Sequence, residues 1–216
     1  MTVQTLIQSV EKADSANALL DAVSALAEAN SVEAIPTLIT VLGYNNPGAA
    51  VAAVDGLTQL GEPAVIPLLE QLDGYNYGAR AWAVRALSGI GDPRGLEVLL
   101  ESAGSDFALS VRRAAARGLG NIHWDKLPFE QLADAQFETF KILQKTSEDP
   151  EWIVRYAGIF GLEGLAIAID KTQPEWFGEI QEQLQKLANI DEVLAVRARA
   201  KWAIQKITNY QLRITN

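Results

Sequence analysis

Residues 111–122 read VRRAAARGLGNI, and the spacing inside this stretch recurs along the chain. Arg112 is followed by Leu119 seven residues on and by Ile122 ten on. Arg80 with Leu87 and Ile90, Arg155 with Leu162 and Leu165, and Arg197 with Ile204 and Ile207 keep the same pattern. Positions 0, +7 and +10 fall on one face of a helix. The residue at +6 is small each time: Ala86, Gly118, Gly161 and Ala203. Ala50, Gly56, Leu57 and Leu60 repeat the pattern without the arginine, and a fainter copy starts at Leu19 with Leu26 and Ala29. Starts at 19, 50, 80, 112, 155 and 197 lie 31, 30, 32, 43 and 42 residues apart, the period of stacked helix pairs.

Each copy has a partner helix upstream. Residues 35–42, 65–72, 96–103, 137–145 and 177–188 show apolar periodicity near 3.6. Pro36 and Pro67 stand in early turns, where a missing N–H costs least. GYNNP (43–47), DGYN (73–76), GDP (91–93) and GSD (104–106) punctuate the joints. Nothing alternates apolar and polar long enough for a strand. The expected fold is all-α: an α-solenoid of about six helical pairs, one repeat domain over residues 1–216, forming a curved superhelix. A single pair cannot bury its own apolar face, so stacking supplies the stability and curvature supplies a concave surface. The small +6 residues let neighbouring helices approach closely.

Composition removes several function classes. The 216 residues contain no cysteine, which excludes disulfides, thiolate nucleophiles, cysteine metal sites and any thioether carried by the chain itself. There is one histidine, so no His-based metal cluster is expected. The first residues, MTVQTLIQSVEKADS, lack a basic start and a long apolar run, and no segment approaches 18 uncharged apolar residues. The reading is therefore no signal peptide, no membrane span and a cytoplasmic location. Net charge is −9, unevenly spread: between Lys12 and Arg80 stand eight acids and no Lys or Arg, whereas residues 80–216 hold 17 basic and 18 acidic residues. An acidic surface repels phosphate backbones, which argues against a nucleic-acid partner.

Three repeat arginines have an acid six residues upstream: Asp106 before Arg112, Asp149 before Arg155 and Asp191 before Arg197. Acid in the turn and arginine at the start of the second helix resemble the ladder of HEAT-like repeats, with each Arg expected to tie its own turn to the next. Arg80 departs, since Gly74 occupies its upstream position. Positions +1, +5 and +8 form an adjoining, more exposed stripe. It carries Arg113 and Tyr156 at +1, and Asp55, Arg85, Arg117, Phe160 and Trp202 at +5, with Trp82 beside them at +2. One reading has the aromatics filling gaps between repeats and the arginines solvated. The other is a groove for a flat, conjugated, anionic ligand, because Arg pairs bidentately with carboxylates and rings offer stacking faces. His123, in GNIHWD (120–125), reads as a helix C-cap or as a proton-transfer group near neutral pH, with Tyr75 and Tyr77 as the next candidates.

YNYGARAWAVRALSGIGDP (75–93) together with VRRAAARGLGNIHW (111–124) resembles the HEAT-like E/F-type phycobilin lyases of cyanobacteria, and in length the smaller F-type members. The resemblance implies a heterodimer with a larger E-type lyase subunit. It implies phycocyanobilin as substrate rather than prosthetic group, and its attachment through a thioether to a cysteine of the apo-phycocyanin alpha subunit. It casts Tyr75, Tyr77, Arg80, Trp82, Arg85, Arg113, Arg117, Trp124, Tyr156 and Phe160 as bilin-binding, with Arg85, Arg113 and Arg117 on the propionates. Trp82, Trp124, Tyr156 or Phe160 would lie against the ring faces, and His123 or a tyrosine would supply a proton. A relative that also isomerises the bilin carries a His-Cys pair near this region; Ile122-His123-Trp124 without any cysteine implies attachment alone. A non-catalytic HEAT-like adaptor for phycobiliproteins or other protein partners is the alternative, and a general HEAT scaffold a third possibility.

Overall fold

The computed structural model describes residues 1–72 and 77–214, the side chains of Tyr77 and Ile214 excepted. Among these residues there are twelve α-helices and no strand, in two compact units, Met1–Gly95 and Leu96–Asn216. None of the described helices is long and apolar enough to cross a membrane.

The first unit holds α1 (Val3–Glu11), α2 (Ala16–Glu28), α3 (Ile35–Val41), α4 (Pro47–Leu60), α5 (Val65–Gln71) and α6 (Tyr77–Ile90). Helix starts follow local chemistry. Ser15 accepts the Ala18 N–H at 3.2 Å, and Asn46 accepts the Ala49 N–H at 3.1 Å just before Pro47. The Asn46 amide also donates to the Ala16 carbonyl at 2.9 Å, tying the start of α4 to that of α2. Gly61 and Gly91 close α4 and α6 at φ +69° and +67°, backbone that a side chain would strain. Each odd-numbered helix packs on the next even one, while α2, α4 and α6 lie side by side. Val23, Leu26, Leu38, Leu57 and Leu68 are buried between them. A Cβ on Gly56, a +6 residue, would lie 2.7 Å from that of Ala27, so α2 and α4 touch through their small residues.

The second unit repeats the arrangement with α7 (Leu96–Ser105), α8 (Leu109–Leu119), α9 (Phe129–Thr146), α10 (Trp152–Ala168), α11 (Phe177–Ile190) and α12 (Leu194–Ile214). Here α8, α10 and α12 form the continuous layer, over a core of Leu99, Leu119, Phe140, Leu143, Ile159 and Leu162. All six motif starts fall inside the even-numbered helices, and the five expected upstream helices are α3, α5, α7, α9 and α11. Two features escaped the periodicity. One is α1. The other is the start of α9 at Phe129 rather than 137: its first turns present inward only half-buried Leu132 and Ala135 and buried, polar Gln136, while Phe129, Gln131, Ala133 and Asp134 are exposed, so the apolar stripe is weak there.

The acid–arginine ladder is realised across repeats. Arg112 donates from Nε and Nη2 to the Asp149 carboxylate at 2.8 and 3.1 Å, and from Nη1 to the carbonyls of Asp106 and Phe107 at 3.0 and 3.1 Å. Arg155 copies this one repeat later, on the Asp191 carboxylate (2.8 and 3.1 Å) and the carbonyls of Asp149 and Pro150 (3.0 and 3.1 Å). Arg197 binds the carbonyls of Asp191 and Glu192 at 2.6 and 3.1 Å. Each aspartate also accepts the N–H two residues on: Ala108, Glu151 and Val193. An arginine thus grips its own turn through carbonyls and the next repeat's turn through a bidentate carboxylate.

Candidate functional site

The expected site residues fall on both units. In the first, Trp82 and Arg85 sit one turn apart on α6, and the Arg85 guanidinium lies 5.5 Å from the Trp82 ring centroid. Arg85 is exposed and Trp82 half-buried. Arg80 is half-buried at position 0, the place of the ladder arginines, away from the +1/+5 stripe. Tyr75 lies outside the described residues, as does the side chain of Tyr77.

In the second unit the stripe is continuous across α8 and α10. Arg113 and Arg117 are exposed on α8, with Tyr156 exposed and Phe160 half-buried on α10. The Arg117 guanidinium lies 4.4 Å from the Phe160 centroid, a cation–π contact worth about 0.5–2 kcal/mol. This approach has a backbone cause. A Cβ on Gly120 would lie 2.8 Å from the Gly161 Cα, and one on Gly164 would overlap the Gly120 carbonyl. Only glycines let α8 and α10 come that near. Arg113 pairs with none of the described residues, leaving its fork open.

Two expectations are corrected here. Trp124 is only 9% exposed and belongs to the core, so it offers no open ring face. His123 does not cap α8: Gly120 is the cap, its N–H on the carbonyls of Arg117 and Gly118. His123 instead opens a short 3-10 turn, Trp124–Lys126, where its carbonyl accepts the Lys126 N–H at 3.0 Å and its exposed imidazole makes no capping bond.

Three residues of the neighbourhood were not singled out from the sequence. Arg199 on α12 donates to Glu163 on α10 at 2.7 Å, the two side chains being 6% and 7% exposed. The Arg199 guanidinium stands 5.3 Å from the Phe160 centroid and 5.9 Å from that of Tyr156. Lys206 approaches the other Glu163 oxygen at 3.6 Å. A signal existed: Glu163 and Arg199 are opposite charges 36 residues apart, the separation of the ladder pair Arg155 and Asp191. Beside them a groove of about 400 Å³ is lined by Ile167, Trp202, Lys206, Tyr210 and Arg213, and Trp202 is 58% exposed. The assembled chemistry is aromatic faces interleaved with guanidinium groups, suited to a flat anion with carboxylate arms.

Residues 3–74 match the HEAT repeats family and residues 79–104 the PBS lyase HEAT-like repeat. The chain is 56% identical over 203 residues to a phycocyanobilin lyase subunit beta of Pseudanabaena tenuis, covering 94% of this chain and 72% of the relative. It is 51% identical over 205 residues to a phycocyanin alpha phycocyanobilin lyase, CpcF, of Synechocystis sp., covering 95% and 94%. Among solved structures, the complex of CpcE and CpcF of phycocyanin lyase from Nostoc sp. PCC7120 contains a chain 50% identical to this one. It aligns with a TM-score of 0.72 over 80% of this chain and 99% of that one.

Proposed function

We propose that this chain, which belongs to the F-type (beta-subunit) family of phycocyanobilin lyases, joins an E-type subunit to attach phycocyanobilin to a cysteine of the apo-phycocyanin alpha subunit. The observation that carries this reading on the chain itself is the Arg117–Phe160 stack beside the open fork of Arg113. The acceptor thiolate adds to the ethylidene carbon of ring A. A C–S bond forms, the exocyclic π bond is lost, and a proton enters the bilin. The chain has no cysteine, so the thioether joins bilin and substrate protein only. Its part is to hold the bilin in one shape and present it, which is catalysis by positioning. Arg113 and Arg117 take the propionates; Phe160 and Tyr156 face the rings; exposed His123 delivers the proton. The reaction is placed in the cytoplasm, phycobilisome-associated at most.

The test is reconstitution with E-type subunit, phycocyanobilin and apo-alpha subunit, scoring colour that survives denaturation. The wild-type complex is expected to form the adduct. Replacing both Arg113 and Arg117 by Ala is expected to weaken bilin binding by at least tenfold, since each charge-assisted contact is worth about 1.5–3 kcal/mol. Unchanged binding and transfer would remove the propionate assignment. Full turnover of His123→Gln would remove the histidine from the chemistry. A spectral shift without a covalent product would make the chain a carrier or adaptor.

A further inference from the structure

The seam between α10 and α12 holds a charged pair that the equivalent positions elsewhere in the sequence lack. Glu163 is the +8 residue of its copy and Arg199 the +2 residue of the next. The preceding copies have Ala27, Thr58, Ser88 and Gly120 at +8, and Ala52, Trp82, Ala114 and Ala157 at +2. None of these is charged, so the repeat packs without such a pair. Burying two ions costs several kcal/mol each, and well-packed apolar residues of similar volume stabilise as well or better. Stability alone therefore does not account for this exception.

Its surroundings supply a reason. Arg199 is fixed at one edge by Glu163 at 2.7 Å and stands against two rings, Phe160 at 5.3 Å and Tyr156 at 5.9 Å. Phe160 meets a second guanidinium, Arg117, at 4.4 Å. Lys206, half-exposed, is the other cation on Glu163 at 3.6 Å. A planar guanidinium can donate at its edge and stack with its face together, which an ammonium cannot. We propose that Arg199, locked by Glu163, is a positioning residue. It sets the attitude of the Phe160 and Tyr156 rings, and these hold an open-chain tetrapyrrole in one conformation. The inference rests on the bilin-binding reading above and adds to it the device that keeps the stacking rings in place.

The decisive variant is the double replacement Glu163→Leu with Arg199→Met in the heterodimer, which exchanges the pair for apolar side chains. Its thermal midpoint and its association with the E-type subunit are expected to match wild type. Its KM for phycocyanobilin is expected to rise about tenfold with a smaller change in kcat, the signature of lost ligand binding, and the absorption band of the bound bilin to shift. Arg199→Lys, which keeps the charge and loses the planar guanidinium, is expected to show the same shift; it is also the reporter should the double variant misfold. Wild-type KM together with a wild-type spectrum in whichever of these variants folds would overturn the role of Arg199. Failure of the wild-type complex to form any adduct would instead overturn the bilin reading itself.

Discussion

Arg155 shows how much one residue carries in this fold. Its side chain is 9% exposed and that of Asp191 is 5% exposed, and it joins four carbonyl or carboxylate groups from two successive turns: the carbonyls of Asp149 and Pro150 and the carboxylates of Asp191 and Glu192. Removing it leaves Asp191 buried without its bidentate partner, a change that typically costs about 3–5 kcal/mol. Arg155→Ala is expected to lower the unfolding free energy by that order in urea titration. Arg197→Ala, whose hydrogen bonds go to carbonyls and not to a buried carboxylate, is expected to cost about 1.5–3 kcal/mol; equal losses would remove the distinction between the two roles. The arginine and its acid were legible from their six-residue spacing. Their geometry was not, because the carboxylate serves the preceding repeat's arginine while the nearer one takes the carbonyl.

Among the elements, the contact of α8 with α10 is set by glycine rather than by large apolar side chains. A methyl group on Gly164 would collide with the Gly120 backbone, whereas one on Gly178, exposed near the start of α11, would meet open space. Gly164→Ala is expected to destabilise by at least about 1–3 kcal/mol through forced backbone shifts. Gly178→Ala is expected to stabilise by about 0.5–1 kcal/mol, from the entropy an unfolded glycine retains. Thermal melts of the two variants moving in opposite directions would bear this out; both moving down would not. Helix identity was readable wherever one face is apolar, as in α3, α5, α7 and α11. It failed over the first turns of α9, where an exposed Phe129 and a buried, polar Gln136 break the apolar period.

For the molecule as a whole, the inter-repeat ion pairs make stability depend on acid. Burial pushes the Asp191 carboxyl up, but the hydrogen bond from Arg155, the Val193 N–H and the charges of Arg155 and Arg197 outweigh it and hold the group below its ordinary value. Glu148 is also held down, by hydrogen bonds from Lys186 and then Gln183. A carboxyl depressed by folding contributes stability that is full above its unfolded value, near pH 4, and is lost as pH falls through the folded value. Unfolding free energy is therefore expected to drop from about pH 4 downward, and Asp191→Asn to flatten that drop; an unaltered slope would exclude Asp191 as its source. The sequence by itself determined the repeat, its six copies and the arginine–aromatic stripe, because helical period and sequential stacking are local properties carried by every copy. Only the tertiary structure decided that Trp124 is core, that His123 caps nothing on α8, and that Arg199 meets Glu163 while standing against the Phe160 ring. Such pairings depend on which turn of one helix packs against which turn of its neighbour, and the spacing within a single helix does not contain that relation.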